Sequence, residues 1–142
     1  MKDRYIYPAI FSFDGGGISV EFPDLPGCLT CGDTQEEALR MAKDALALHL
    51  FGMEEDGDSI PEPSSIFELR PQGNQVVALI EVWMSPVREE MAHKAVNTTV
   101  TLPRWLKNAA KESGLNLLEV LQYAVKERLG IHERHETTRR EI

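Results

Sequence analysis

The stretch that most restricts what this chain can fold into is residues 95–131, because its apolar pattern switches from a strand period to a helical one and is then broken by a turn within a short span. From Ala95 to Leu102 the apolar residues Val96, Val100 and Leu102, with Thr98 among them, alternate with Asn97, Thr99 and Thr101. That period predicts a strand with one core face and one polar face. Pro103 can occupy the first turn of a helix, where its missing N–H is no loss, and Leu106, Ala109 and Ala110 give that helix a buried side before Ser113 and Gly114 stop it. Asn116 is a good N-cap for a second helix with apolar positions Leu117, Leu118, Leu121, Ala124, Val125 and Leu129, and Gly130 ends it. One strand and two helices over roughly 35 residues cannot bury their own apolar faces, since units below about 40 residues need help. A second copy supplies it: two strands pair about a two-fold axis into an antiparallel ribbon above four helices. Such a ribbon fits the major groove of DNA, where a two-stranded β element can read base edges.

The preceding residues predict a separate unit. Tyr5–Phe13 is rich in aromatic and β-branched types, Asp14 to Gly17 supply turn residues, and Ile18, Val20 and Phe22 alternate with Ser19 and Glu21, which predicts a hairpin. The three glycines read as a turn and not as a phosphate loop, because no Lys-Ser or Lys-Thr pair follows them. A Pro-rich bend, Pro23 to Gly27, leads to a short strand at Cys28–Gly32. Thr34 and Glu37 then form a capping box, in which the hydroxyl accepts the Glu37 amide and the carboxylate returns to the Thr34 amide. The helix begun there carries Leu39, Ala42, Leu46, Leu50 and Met53 on one face, with Met41, Ala45 and His49 at its edge, and ends at Gly52 or Gly57. Glu54 to Gln75, broken by Gly57, Pro61, Pro63, Pro71 and Gly73, is longer than an ordinary connection. Val76–Met84 is almost wholly apolar, as in a central strand buried on both faces. Residues 85–94, with Pro86 and several charges, read as a linker. The expected division is therefore 1–84, a linker at 85–94, 95–131, and a charged tail at 132–142.

Charge separates the two parts. Of the chain's 142 residues, the first 94 hold 7 Lys and Arg against 17 Asp and Glu, net −10, and the rest hold 8 against 6, net +2. An acidic unit repels nucleic acid and attracts a basic partner, while the mildly basic part suits phosphates. The longest apolar runs are too short for a membrane helix, and the start lacks a signal-peptide pattern, so a cytoplasmic protein without membrane contact is expected.

The segment TVTLPRWLKNAAKESGLNLLEVLQYAVKERL resembles the ribbon-helix-helix repressors over nearly its whole length. The resemblance implies a dimer, with tetramers open, in which Asn97, Thr99 and Thr101 enter the groove of double-stranded operator DNA. It also implies that Asn116, Leu117 and Leu118 hold a phosphate at the start of the second helix, with Arg104 and Lys107 adding charge toward the backbone. The three groove positions lack Arg or Lys, so base reading falls to Asn, bidentate to adenine, and to Thr. The bland alternative makes this polar row the solvent face of an edge strand.

The N-terminal part, through GGGISVEFPDLPGCLTCGDTQEEALRMAKDAL and the later IPEPS, resembles the HicB antitoxins. That implies an α+β chain: a β-β-β-α-β domain, partly like RNase H or a double-stranded-RNA-binding domain, followed by the ribbon-helix-helix dimerisation module. It implies a partner too, a small HicA-type toxin that cleaves mRNA. The acidic unit suits such a basic partner, and Glu54, Glu55, Asp56 and Asp58 are the candidate contacts. A repressor whose N-terminal domain senses another protein or a small molecule is the alternative.

Other chemistry is weaker. Cys28 and Cys31 form a C-x-x-C without a second pair, in a strand instead of before a helix, and His132 and His135 lie on the tail. A nuclease would need converging carboxylates, whereas Glu21 and Glu81 are isolated and Asp14 belongs to a turn. The sequon Asn97-Thr98-Thr99 has no consequence in a cytosolic chain. No catalytic residue, metal or cofactor is expected.

Overall fold

The computed structural model describes residues 2–131; the tail at 132–142, with His132 and His135, lies outside the described residues. The chain divides into two units, Met1–Ala95 and Val96–Ile142.

In the first unit the elements run β1 (Arg4–Asp14), β2 (Gly17–Glu21), β3 (Leu29–Gly32), α1 (Gln35–Asp56), a 3-10 turn at Ile66–Glu68, β4 (Gln75–Trp83) and α2 (Met84–His93). The four strands form one antiparallel sheet in the order β3-β2-β1-β4. Asp14 pairs with Gly17, so Gly15 and Gly16 are left as a two-residue turn, as the hairpin reading expects. Alternate residues of β1 (Tyr5, Tyr7, Ala9, Phe11) join Ile18 and Val20 of β2 and Ile80 and Val82 of β4 on one face, and α1 closes that face with Ala38, Ala42, Leu46 and Leu50. Thr34 caps α1 by accepting the Glu37 amide at 3.1 Å; the returning Glu37 bond is not formed among the described residues. Gly57, with φ +71°, ends the helix in the left-handed conformation that spares a Cβ, while Gly52 lies inside it.

Three expectations are corrected. Leu39, placed on the buried face of α1, is 50% exposed, and Ala38 is buried instead. The helix starts so close to β3 that only a small residue fits against Gly32. Next, β4 is an edge strand and not a central one: it pairs with β1 alone, and Leu79 and Trp83 lie open on the face away from α1. Pro8 and Ile10 share that outer face, and the Arg4 guanidinium covers the Trp83 ring at 5.1 Å. An apolar outer row hid the alternation that would have marked a one-sided strand. Finally, residues 85–94, expected as a linker, are part of the first unit. They lie almost wholly in α2, whose Pro86 is tolerated in the first turn and whose Met84 and Val87 pack on the core.

The second unit contains α3 (Arg104–Glu112) and α4 (Leu117–Leu129). Gly114, with φ +67°, turns the chain between them, and the Leu115 amide donates to the Ala110 carbonyl. Residues 95–103, of which 95–102 are expected as a strand, carry no regular structure and, among the described residues, no backbone hydrogen bond as donor. Ala110 is buried, but Ala109 is exposed and Leu106 is 39% exposed.

Candidate functional site

Two regions gather the residues singled out above, one in each unit. In the first unit, an open groove lies between the bend after β2, the last turns of α1 and the strap that follows it. Asp24, Asp56 and Asp58 line it together with His49, Leu48 and Met53. The strap is fixed at two points. The Tyr7 hydroxyl, from the buried face of β1, donates to the Pro61 carbonyl. The Ser64 amide and hydroxyl both donate to the Asp24 carboxylate. Burial pushes the Tyr7 phenol up to about 12, so it stays protonated as this bond requires.

The four acidic candidates separate by environment. Glu55, Asp56 and Asp58 are exposed, and the last two line the groove. The Glu54 side chain is only 6% exposed. Its carboxylate takes both Nε and Nη2 of Arg88, at 2.9 and 2.7 Å, while Nη1 of Arg88 reaches Asp3 at 2.9 Å. Hydrogen bonding to Glu54 raises the Arg88 pKa further above its ordinary value, which fixes the guanidinium as a permanent charge. Glu54 thus joins α1 to α2 and is not free to meet a partner. Sequence reasoning missed Asp24 and Arg88, because their partners lie 40 and 34 residues away along the chain.

In the second unit, Arg104, Lys107, Asn116, Leu117 and Leu118 line one concavity, and Asn108 and Lys111 join them. The Asn116 side chain accepts from the Leu118 and Glu119 amides at 3.1 and 3.4 Å. Those two donors are therefore already used by the cap. Asn97, Thr99 and Thr101 are exposed in the segment before α3 and do not line this concavity. Every large apolar side chain of the described part of this unit except Leu102 is exposed, including Leu117 and Leu121.

Catalytic and metal-binding geometry is poor by comparison. Glu21 and Glu81 sit beside Ile10 and Ile6 of β1, four residues or about 13 Å apart along the strand, and Glu81 pairs with Arg4. Asp14 takes the Asn74 side chain. Among the described residues no group of three or more His, Cys, Asp or Glu is placed to hold a metal. Cys28 is buried and donates to the Ala45 carbonyl, and burial pushes its thiol up to about 11; Cys31 is exposed. No helix among the described residues is long and apolar enough to cross a membrane.

Known proteins agree with this layout. A family model described as HicB-like antitoxin of bacterial toxin-antitoxin systems matches residues 7–115, the first unit through the end of α3. An uncharacterized 14.9 kDa protein from the rep-hol intergenic region of Haemophilus phage HP1 is 31% identical over 104 residues, covering 71% of this chain and 75% of its own length. Antitoxin HicB 2 of Photorhabdus laumondii is 51% identical over 65 residues, 46% of this chain, which spans about half (47%) of that relative. Among solved structures, a toxin-antitoxin complex from Streptococcus pneumoniae superposes with a TM-score of 0.59 at 23% identity, over 88% of this chain and 99% of that one, a likeness of fold.

Proposed function

Since the chain belongs to the HicB-like antitoxins of bacterial toxin-antitoxin systems, we propose that its first unit neutralises a HicA-type, mRNA-cleaving toxin and that its second unit, paired with a second copy, represses its own operon. The observation that carries this reading is the open apolar surface of the second unit. Leu106, Leu117, Leu118, Leu121 and Val125 have no core of their own, and a second copy would cover them as in a ribbon-helix-helix dimer. Pairing would also give the backbone of residues 95–102 a partner strand. Asn97, Thr99 and Thr101 would then form the polar face of the ribbon in the major groove.

The first unit supports the toxin half through its charge. Asp56 and Asp58 offer exposed carboxylates beside the apolar Leu48 and Met53, a mixture suited to a basic protein surface. Glu55 flanks them. Masking of the toxin's RNA-binding surface would be steric and electrostatic, in the cytoplasm, without a catalytic step by this chain.

The test has two arms. Binding to the duplex just upstream of the gene should weaken by about 1–3 kcal/mol in Asn97→Ala and in Thr99→Ala, with the dimer intact by sedimentation. Parental affinity in both variants would remove the groove assignment. Residues 1–95 alone, which enclose a complete core, should relieve the growth arrest caused by a small basic partner that co-purifies with the full chain. Failure of that fragment to bind the partner would remove the toxin half.

A further inference from the structure

Three cations lie on one side of α3, and they make a longer phosphate contact than the start of α4 could provide. Arg104, Lys107 and Lys111 are spaced by three and four residues, so at about 100° per residue they fall within an arc of roughly 60°. All three line the concavity that ends at Asn116 and Leu117. None has an acidic partner among the described residues, although acids outnumber bases in the chain by 23 to 15. At about 1.5 Å per residue they span about 10.5 Å, a length that reaches past a single phosphate. The helix start has less to offer, since the Leu118 and Glu119 amides are already bonded to Asn116.

We infer that Arg104, Lys107 and Lys111 form a track that neutralises consecutive phosphates of duplex DNA, with Lys111 a binding residue in its own right. This rests on the proposed DNA contact but not on how bases are read. Each phosphate neutralised releases counterions, and the track therefore sets the salt dependence of binding, whereas the ribbon sets its sequence preference.

The experiment measures affinity against salt for the full chain on the upstream duplex and on a short duplex of arbitrary sequence. Lys111→Gln should flatten the slope of log affinity against log salt by about 2 on both duplexes, because a dimer carries two copies and each contact contributes about 0.9. Lys111→Arg should keep the parental slope. So should Lys43→Gln, an equal loss of charge on the exposed side of α1. A parental slope in Lys111→Gln overturns the inference; if the parent still prefers the upstream duplex, the DNA reading survives that result. Absence of binding to both duplexes by the parent overturns both.

Discussion

Gly32 is the residue on which the closing of the first unit turns. A Cβ there would stand 2.6 Å from the Ala38 nitrogen and 2.9 Å from its Cα, both backbone atoms that cannot swing aside. Gly32→Ala should therefore lower stability by about 1–3 kcal/mol, the usual range for overpacking, read as a lower urea midpoint at unchanged slope. The Thr34 cap was legible, because local hydrogen bonding favours that residue type at a helix start whatever surrounds it. The close approach was not, and so Leu39 was expected where Ala38 lies. Glu54 shows the same limit. In sequence it is one of a run of acids, and only its distant partner, Arg88, distinguishes it from exposed Glu55.

At the scale of elements, α2 is tied to the end of α1 by a two-pronged bond, Arg88 to Glu54, with a third arm to Asp3. Removing one partner leaves the Glu54 carboxylate, already withdrawn from water, without its counterion. Arg88→Met should cost about 1.5–3 kcal/mol, the range for hydrogen bonds to charged groups. Glu54→Gln should cost a similar amount, and the double variant less than the sum of the two in a denaturant-based mutant cycle. Additive losses would show that the pair contributes nothing beyond its separate side chains. The order β-β-β-α-β was readable from turns, a cap and periodicity, since each is a local signal. The edge position of β4 was not, because Leu79 and Trp83 are apolar on the open face and a run of nine residues without alternation looks central. Nor was α2, in which Pro86 and neighbouring charges conceal the helical spacing of Met84, Val87 and Met91.

For the whole molecule, the two units differ in how far each is complete. The first closes its own core, while the described part of the second exposes nearly all of its large apolar side chains, and residues 95–103 have no backbone hydrogen bonds as donors among the described residues. The expected site residues divide in the same way. Arg104, Lys107 and Asn116, named through the resemblance, line one concavity, whereas the role given to Asn97, Thr99 and Thr101 depends on a second chain that one sequence does not contain. Exposed backbone whose amides are unpaired is also the substrate of an endoprotease. Under the dimer reading, a twin strand would hide that stretch. Limited digestion should thus cleave within 95–103 quickly in dilute protein and slowly in concentrated protein, and equal rates would argue against pairing there. The lifetime of each molecule would then rise with its own abundance, so that scarcity by itself hastens its removal.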